Sequence, residues 1–333
     1  MPSVSVFGAA GFAGALAARL LYEHPSFRLN VLTSRSESGL SLGELYPQHR
    51  VPLALEELNL DYHGDVEAAV VAYPHGASAE LVAQLRARGV RVVDLSADFR
   101  LRDPVIYEEW YREHPAPELI SEAAYGLPEL HREAIREADL VANPGCYPTA
   151  ALLALAPLAR AGLIGDLVID AKSGVSGAGR SPSAKTHFVA ANENVTAYGV
   201  PRHRHTPEIE QELAALGARL PITFTPHLLP LDQGELVSCY VTPPGGTTAS
   251  LAELSELYRA AYAREPFVEV TGVLPGVREV RETNICRVSV HRDDRTGRII
   301  AFGALDNLWK GAASQAVQNL NLMFGLPEGE GLW

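Results

Sequence analysis

One cysteine lies where a thiolate would be chemically useful. Cys146 belongs to Asn143-Pro144-Gly145-Cys146-Tyr147-Pro148-Thr149, and the apolar run 150–158 follows directly. Asn-Pro-Gly is turn chemistry and the run has helical length, so we expect Cys146 at a helix N-terminus. There the helix dipole and free backbone N–H groups lower a thiol pKa, and they can hold an oxyanion on a carbonyl carbon that the sulfur has attacked. A small buried hydrophobe is the alternative role of this cysteine.

A second group of ionisable side chains lies in Pro201-Arg202-His203-Arg204-His205-Thr206-Pro207-Glu208. Thr206 and Pro207 resemble an N-cap followed by proline at the first helical position, which leaves His203 and His205 in the loop before a helix. A His-x-His pair can ligate a metal, but the nearby sequence offers no cysteine or third histidine, so we expect no metal site. Histidines alternating with arginines favour anion handling or proton transfer, and loop histidines without a role are the alternative.

The N-terminal residues have the pattern of a dinucleotide-binding turn. A short β-prone run leads into Gly8-Ala9-Ala10-Gly11-Phe12-Ala13-Gly14 and then into a helix-forming segment. Gly8 would make the turn, Gly11 would admit the pyrophosphate and Gly14 would let the helix pack close to the strand. A turn with a purely structural role is the alternative. The expected cofactor-binding residues here are Gly8, Ala10, Gly11, Phe12, Ala13 and Gly14.

The end of the next predicted strand, residues 28–32, bears on the choice of cofactor. It runs into Thr33-Ser34-Arg35-Ser36 rather than into an acidic residue. An acidic side chain there binds the ribose 2′-hydroxyl of NAD, whereas hydroxyls with an arginine suit the 2′-phosphate of NADP. Ser34, Arg35 and Ser36 therefore favour NADP(H), unless Arg35 is an ordinary solvated charge.

Two more strand signals, residues 68–72 and 90–95, alternate with helical segments and indicate a parallel sheet covered on both faces. Ligands bind at the carboxyl ends of such strands. Arg100 is a candidate anion clamp there, and a surface pair with Asp98 or Asp103 is its alternative. The rim candidates are Tyr73, Pro74, Ser96 and Arg100.

The rest of the chain predicts a second domain. Residues 101–138 form an excursion, best ordered at 124–129, and a strand over 140–142 then leads to Cys146. The later strand signals are more widely spaced, which indicates a separate sheet domain with helices on one face, beginning near residue 147. These signals cover residues 167–171, 222–225, 235–241 and 287–290.

Two segments of this second domain have residue types that suit ligands. Residues 172–180 run from a strand end into a Gly/Ser loop that could cradle phosphate, lie against a nicotinamide or be a plain loop. Its candidate residues are Ser173, Gly177 and Ala178. Residues 303–319 suit a closely packed helix with Asn307 near its start, which either faces the cofactor or is buried between domains.

Composition excludes several classes of protein. The 333 residues are 47% hydrophobic and 20% charged, which is typical of a globular α/β protein of two domains. A net charge of −12 argues against a nucleic-acid partner. Three widely spaced cysteines allow neither a disulfide framework nor a CxxC zinc site and favour a reduced, cytoplasmic setting. We find no pattern of a signal peptide or a membrane span.

Seven motifs along the chain resemble those of one enzyme family. They lie at residues 8–14, 95–100, 124–129, 143–149, 173–180, 203–208 and 306–313. In this order, and over almost the whole chain, they resemble the N-acetyl-gamma-glutamyl-phosphate reductase family, which is related to aspartate-semialdehyde dehydrogenase. The resemblance implies an α/β fold with a Rossmann-type doubly wound parallel sheet and a second α+β catalytic and oligomerisation domain. The implied domains are residues 1–146, which bind NADP, residues 147–305, and a C-terminal helix over 306–333 that returns to the first domain.

The resemblance also implies a reaction, by an NADP-dependent semialdehyde dehydrogenase of the phosphorylating type. It is the reduction of N-acetyl-γ-glutamyl phosphate to N-acetylglutamate 5-semialdehyde, with phosphate released, in arginine biosynthesis. Cys146 would attack the acyl phosphate to form a thioester, and His203 would be the acid/base. The implied substrate-binding residues are Arg100, Asn143, Ser173, His205 and Glu208. The implied assembly is a homodimer or homotetramer.

Two alternative functions stay open. A sister enzyme of lysine biosynthesis reduces an acyl phosphate one methylene longer on an acidic carrier protein, and one methylene discriminates by only about 1–3 kcal/mol. The net charge of −12 favours the free acetylated substrate, since a carrier would need a basic patch. The other alternative is a non-catalytic NADP-binding regulator, and the intact set of Cys146, His203 and Arg100 argues against it.

Overall fold

The chain divides into two compact units. The computed structural model describes residues 1–63, 66–245 and 249–333. The first unit comprises Met1–Gly145 and Ala312–Trp333, and the second unit comprises Cys146–Gly311. The sequence predicts a domain boundary near residue 147, and the division in the structure falls between Gly145 and Cys146.

The first unit is built on a seven-stranded parallel sheet with the order β3-β2-β1-β4-β5-β7-β6. Its strands are β1 (Ser3–Phe7), β2 (Arg28–Thr33), β3 (Leu55–Glu56), β4 (Ala68–Val71), β5 (Arg91–Asp94), β6 (Ala123–Tyr125) and β7 (Leu140–Ala142). Its helices are α1 (Phe12–Glu23), α2 (Leu42–Leu45), α3 (Leu60–His63), α4 (Ala79–Arg86), α5 (Pro104–Trp110), α6 (Pro128–Glu137) and α11 (Ser314–Met323). The predicted Rossmann-type class is confirmed.

Continuous apolar strands account for this sheet. Every residue of β1 and β4 is buried, as expected for parallel strands covered on both faces. Phe7 of β1, Val92 of β5 and Leu85 of α4 share one hydrophobic cluster. The strand order reverses between β1 and β4, and the chain leaves these two strands at Gly8 and just before Tyr73. A reversal of this kind creates the crevice in which α/β sheets bind ligands.

The second unit is built on a mixed seven-stranded sheet with the order β12-β13-β14-β11-β8-β10-β9. Its strands are β8 (Asp166–Gly174), β9 (Thr196–Ala197), β10 (Thr223–Leu229), β11 (Glu235–Thr242), β12 (Val268–Val270), β13 (Cys286–Asp293) and β14 (Arg298–Leu305). Its helices are α7 (Cys146–Arg160), α8 (Phe188–Ala191), α9 (Thr206–Ala215) and α10 (Leu251–Tyr262). The predicted α+β second domain is confirmed.

The helix expected over residues 303–319 begins later than predicted. Residues up to Leu305 belong to β14, which pairs with β11 and β13, and a π-helical turn over Trp309–Ala313 precedes α11. This part of the prediction was wrong, because small residues such as Gly303 suit close packing in a strand as well as in a helix. At Gly303 a Cβ would lie only 2.5 Å from the carbonyl oxygen of Ala150, so α7 packs directly on the strand backbone.

Side-chain alternation gives this sheet two unlike faces. Val237, Cys239 and Val241 of β11 are fully buried on the face that α7 covers, whereas Leu236 and Tyr240 of the same strand are half-buried. Among the described residues, no helix combines the length and the apolar character needed to cross a bilayer.

Candidate active site

Cys146 is the first residue of α7, as the sequence predicts. The helix is mostly apolar and residues 147–159 are all buried, so its start is held in place by packing. Gly311 covers the cysteine from the other side, since a Cβ there would lie 2.8 Å from the Cβ of Cys146. The half-buried thiol therefore sits at the positive end of a fifteen-residue helix, where a thiolate is stabilised.

Aromatic rings bring the predicted histidines to the same helix start. The ring of Tyr147 lies 5.9 Å from that of His203 and 5.8 Å from that of His205. Tyr198 packs on His203 at 5.3 Å and donates a hydrogen bond from its hydroxyl to that of Tyr147 at 3.2 Å. Phe224 closes the cluster, 5.2 Å from His203. The residue beside the cysteine thus links it to the His-x-His segment.

The protonation of His203 follows from its surroundings. Burial among these rings, and next the charge of Arg204, lower the pKa of His203 to about 4. The ring is therefore neutral near pH 7. Its Nδ1 accepts a hydrogen bond from the backbone N–H of His205 at 3.2 Å, so the hydrogen of the neutral ring is on Nε2. Nε2 is consequently a donor.

The helix after the histidines begins one residue away from the predicted position. His205 is the N-cap of α9, and Thr206 and Pro207 are its first two residues. Thr206 was expected to cap the helix, but its buried hydroxyl oxygen has no hydrogen-bond partner. Proline is accepted in the first turn because its missing N–H would have no partner inside the helix. Glu208, in the first turn of the helix, is 1% exposed.

A buried carboxyl that the motifs did not reveal also faces the cysteine. Glu235, the first residue of β11, is 0% exposed, and neither of its oxygens has a hydrogen-bond partner of regular geometry. Burial, with some help from Asp306, raises the pKa of Glu235 to about 8, although the Cys146 thiol and the Ser173 hydroxyl lie close enough to oppose the shift. The signal available in the sequence is the alternation of β11, which places Glu235 on the same face as Val237.

The three glycines of the predicted dinucleotide-binding turn, Gly8, Gly11 and Gly14, have different surroundings. Gly8 has φ +91°, and a Cβ would clash with the carbonyl oxygen of Ala72 at 2.7 Å. At Gly14 a Cβ would lie 2.4 Å from the carbonyl oxygen of Gly8, so α1 packs against the turn. At Gly11 it would meet only Gly8, at 3.7 Å. Gly11 is also the N-cap of α1 and offers no side-chain cap. The α1 N-terminus therefore has space and uncapped N–H groups, which suit a pyrophosphate.

The strand end that was predicted to select the cofactor has a basic and polar surface. Arg35 is exposed and its guanidinium lies 5.0 Å above the ring of Tyr73. Ser36 is exposed too, while Ser34 is buried and its hydroxyl accepts the N–H of Ser36 at 3.3 Å. The Tyr73 hydroxyl is buried and has no hydrogen-bond partner. An exposed arginine next to an exposed serine fits a phosphate better than a ribose hydroxyl.

Comparisons with known proteins agree on one family. The semialdehyde dehydrogenase NAD binding domain matches residues 3–138, and the semialdehyde dehydrogenase dimerisation domain matches residues 146–307. An N-acetyl-gamma-glutamyl-phosphate reductase of Desulforudis audaxviator is 51% identical over 100% of this chain and 98% of its own length. Another, of Rubrobacter xylanophilus, is 50% identical over 99% of this chain and 98% of its own. The chain belongs to the N-acetyl-gamma-glutamyl-phosphate reductase family.

Solved structures show how widely the fold of this reductase family is shared. Aspartate semialdehyde dehydrogenase II of Vibrio cholerae, complexed with ASA, has a TM-score of 0.73 at 20% identity, and the match covers 98% of both chains. The aspartate semialdehyde dehydrogenase of Candida albicans, solved with NADP, has a TM-score of 0.71 at 13% identity, covering 97% of this chain and 98% of that one. At these identities the likeness concerns the fold.

In this member of the reductase family, the Gly/Ser loop leaves β8 beside Glu235. Ser173 is 2% exposed and is paired in register with Glu235, whereas Gly177 and Ala178 are exposed in a 3₁₀ turn. Asn307 is 3% exposed. Its Oδ1 accepts the N–H of Gly234 at 2.7 Å and its Nδ2 donates to the Ser176 hydroxyl at 3.0 Å. Asn307 therefore holds this loop against the start of β11.

Three further candidates lie inside the first unit. Arg100 is 5% exposed and donates to the carbonyl oxygens of Asn143, at 2.7 Å, and Leu95, at 2.8 Å. Asn143 is fully buried and its Oδ1 accepts from Asn319 at 3.0 Å. Ser96 is fully buried and donates to the Asp94 carboxyl at 2.6 Å. Arg100 was predicted at the rim of the sheet. Its guanidinium is buried and holds the backbone that precedes Cys146, so it is not a surface charge.

Within residues 1–63, 66–245 and 249–333, no group of three or more His, Cys, Asp or Glu side chains is arranged to hold a metal ion. Cys146, Cys239 and Cys286 form no disulfide with one another.

Proposed function

We propose that this chain catalyses the NADPH-dependent reduction of N-acetyl-γ-glutamyl phosphate to N-acetylglutamate 5-semialdehyde, with release of phosphate, in arginine biosynthesis. The observation that carries the proposal is the half-buried Cys146 thiol at the start of α7, in a chain about half identical to full-length relatives that are named for this activity. A thiol at a helix start suits attack on an acyl phosphate, and a thioester divides one difficult substitution into two easier steps.

Most of the residues that we propose for the cofactor belong to the first unit, and three of them, Gly177, Ala178 and Asn307, belong to the second unit. The uncapped start of α1, with Gly8, Ala10, Gly11, Phe12, Ala13 and Gly14, suits the pyrophosphate. Ser34, Arg35 and Ser36 suit the 2′-phosphate, since the strand end has no acidic residue that would repel it. The remaining proposed cofactor residues are Tyr73, Pro74, Ser96, Gly177, Ala178 and Asn307. When bound, NADPH supplies the hydride that reduces the thioester.

The groups that we propose for acyl transfer belong to the second unit, whereas Arg100 and Asn143, proposed for substrate binding, belong to the first unit. The Cys146 thiolate attacks the acyl carbon and the bond to the phosphate oxygen breaks, with the electron pair leaving on phosphate. The backbone N–H of Cys146 and the Nε2–H of His203 donate to the oxyanion that forms on that carbon. This gives His203 the role of a hydrogen-bond donor, since its Nδ1 is already engaged as an acceptor. The proposed substrate-binding residues are Arg100, Asn143, Ser173, His205 and Glu208.

We also propose a homo-oligomer, a dimer or a tetramer, in a reduced cytoplasmic setting. Exposed apolar side chains support the first part, since Phe188, Val189 and Val195 are 76%, 82% and 62% exposed within the region matched by the dimerisation domain. Three cysteines that form no disulfide with one another, of which Cys239 and Cys286 are buried in β-strands, support the second. Sedimentation of the purified chain at two concentrations tests the assembly, and a monomer at both would contradict it.

The function is tested in the phosphorolytic direction. The purified protein is mixed with N-acetylglutamate semialdehyde, phosphate and NADP, and NADPH formation is followed by absorbance. Parallel reactions contain NAD, or the aminoadipate semialdehyde analogue on its carrier protein. We expect rapid reduction of NADP with the free acetylated compound and much slower reduction of NAD. Activity restricted to the carrier-bound analogue would move the enzyme to lysine synthesis, and no activity with either would favour a non-catalytic regulator.

A further inference from the structure

Asp98 is a fully buried acidic residue in the segment that follows β5. One of its carboxyl oxygens accepts the backbone N–H of Gly76 at 2.6 Å and the hydroxyl of Tyr107 at 3.0 Å. The other oxygen accepts the backbone N–H groups of Ser78 and Ala79, each at 3.1 Å. Three of the four donors thus belong to one short stretch between β4 and α4. The carboxyl holds the backbone of this stretch in place.

The start of α4 has a capping residue of its own that serves another purpose. Ser78 is the N-cap, a position where a serine normally accepts an N–H of the first turn. Its side chain makes no such bond and donates instead to Asp94 at 2.6 Å, while Ser96 donates to the other oxygen of Asp94 at 2.6 Å. Asp98, 20 residues after Ser78, accepts the N–H groups that a local cap would take. The segments that follow the neighbouring strands β4 and β5 are therefore joined.

This arrangement places two carboxyl groups next to each other in the interior. Asp94 is fully buried as well, and burial, followed by the charge of Asp98, raises the pKa of Asp94 to about 6. A cap by the local serine would avoid this cost, because burial of a carboxyl beside a second one is unfavourable. Arrangements that depart from the local rule in this way are concentrated at functional sites.

The stretch that Asp98 holds is continuous with the residues proposed for the cofactor. We call residues 73–79 the cofactor segment. At Gly8 a Cβ would lie 2.7 Å from the carbonyl oxygen of Ala72 and 2.9 Å from Cδ1 of Tyr73, so the beginning of the segment packs on the dinucleotide-binding turn. The guanidinium of Arg35 lies 5.0 Å above the Tyr73 ring. The cofactor segment therefore meets both places proposed for phosphate groups at one end and Asp98 at the other.

We propose that Asp98 is a positioning residue for the cofactor: by holding the backbone of residues 76–79 it fixes where Tyr73 and Pro74 lie, and it thereby sets the affinity for NADP(H). This role rests on the proposed function, since it takes Tyr73 and Pro74 as cofactor-binding residues. Asp98 acts through the backbone and exchanges no proton or electron with the cofactor. Loss of the carboxylate should therefore weaken cofactor binding and leave the chemistry at Cys146 unchanged.

Asp98→Asn tests this role with the smallest change of shape. An amide has one acceptor oxygen where the carboxylate has two, so in either orientation its NH₂ group faces at least one backbone N–H of the cofactor segment. That N–H loses its acceptor in the interior, which is unfavourable. Tyr107→Phe is the matched control, because Tyr107 is also fully buried and its hydroxyl is the fourth donor to the same carboxyl. In this control all three backbone N–H groups keep their acceptor.

Cofactor affinity is measured without substrate, by fluorescence titration of wild type and both variants with NADPH. We expect the Kd to rise about tenfold or more in Asp98→Asn and to stay within about twofold in Tyr107→Phe. Steady-state kinetics with N-acetylglutamate semialdehyde, phosphate and NADP should show a similar rise in the KM for NADP in Asp98→Asn. The kcat and the KM for phosphate should stay within about twofold, a separation that a general loss of structure would not produce.

Amide hydrogen exchange, followed by mass spectrometry of the peptide that covers residues 76–79, gives a second readout. The first N–H groups of a helix have no partner inside it, so slow exchange in wild type without NADPH is expected only if Asp98 holds them. Exchange should be faster in Asp98→Asn and unchanged in Tyr107→Phe. Fast exchange in wild type would overturn the role of Asp98 even if Asp98→Asn does not fold.

The outcomes separate this role from the proposed function. An unchanged Kd for NADPH in folded Asp98→Asn, or an equal rise in both variants, would overturn the role of Asp98. A fall in kcat without a change in cofactor affinity would overturn it too. If wild type binds NADPH, Asp98→Asn binds it more weakly and neither turns over the semialdehyde, the substrate assignment alone is overturned. A wild type that does not bind NADPH would overturn both.

Discussion

The two sheets of this protein collect their functional side chains in different ways. In the first unit, one uninterrupted stretch from the end of β1 into the first turn of α1 contains the residues proposed for the pyrophosphate, and the glycines at its start and end each meet a specific steric limit. In the second unit, Cys146, Ser173, His203 and Glu235 come from four separate segments of chain. A contiguous site tolerates changes elsewhere in the fold, whereas an assembled site depends on every element that holds its members. Variants can therefore separate the two types of site.

Replacing the nucleophile should have the largest effect. Cys146→Ser places a hydroxyl at the start of α7, and a serine hydroxyl is far less acidic than a thiol, so turnover should fall by about 10⁴-fold or more. Binding of NADPH, measured by fluorescence titration, should be unchanged, because the first unit is untouched. The control is Cys286→Ala, which removes a fully buried thiol of β13 and should leave turnover within about twofold. A serine variant with a few per cent of wild-type turnover would contradict the thioester step.

Removing the donor of His203 should have the next largest effect. His203→Phe keeps a ring against Tyr147 and Tyr198 but has no Nε2–H, so kcat should fall by about 10²- to 10³-fold. Because the pKa of His203 is lowered to about 4, its ionisation should affect the wild-type rate only below about pH 5, with no inflection near 6.5. An unchanged kcat in this variant would contradict the proposed donor role of His203.

Adding one methyl group at Gly311, far from Cys146 in the sequence, should disturb the assembled site of the second unit. Gly311→Ala would place a Cβ 2.8 Å from that of Cys146, and a displaced nucleophile should lower kcat by about 10- to 10²-fold. Gly272→Ala is the matched control, since Gly272 has no positive φ and its Cβ would meet nothing within 4 Å. Circular dichroism and NADPH binding should be normal for both variants. Equal kcat values in the two would show that the contact at Gly311 has no role in positioning the sulfur.

Substitutions at two glycines of the contiguous site, Gly14 and Gly11, should separate an effect on folding stability from an effect on NADPH binding. Gly14→Ala would bring a Cβ within 2.4 Å of the carbonyl oxygen of Gly8 and should cost about 1–3 kcal/mol of unfolding free energy. Gly11→Ala meets no atom closer than 3.7 Å, so unfolding should change by about 1 kcal/mol or less while the KM for NADPH rises about tenfold. Urea unfolding and steady-state kinetics give both values. Similar stability losses in both variants would remove the distinction between packing and ligand space.

Sequence reasoning succeeded where a feature is local. The start of α7 at Cys146 follows from turn residues before an apolar run, and the parallel strands follow from short continuous apolar segments. It failed where two local patterns compete. Residues 303–305 were assigned to a helix although they form the end of β14, and Thr206 was assigned as an N-cap although it lies inside α9. The strands β3, β6, β9 and β12 are two or three residues long, too short for a periodic pattern.

The sequence by itself determined the fold class, the family and the position of Cys146 at a helix start, because each depends on residues that are neighbours in the chain. Only the tertiary structure decided the protonation of the site. The neutral His203 ring with its hydrogen on Nε2 follows from a hydrogen bond at Nδ1 and from burial among three aromatic rings. The raised pKa of Glu235 comes from burial beside Cys146, 89 positions earlier in the numbering (235 minus 146). The free energy of ionisation of a group depends on the dielectric and the charges around it, and folding creates that environment from segments that the sequence keeps apart.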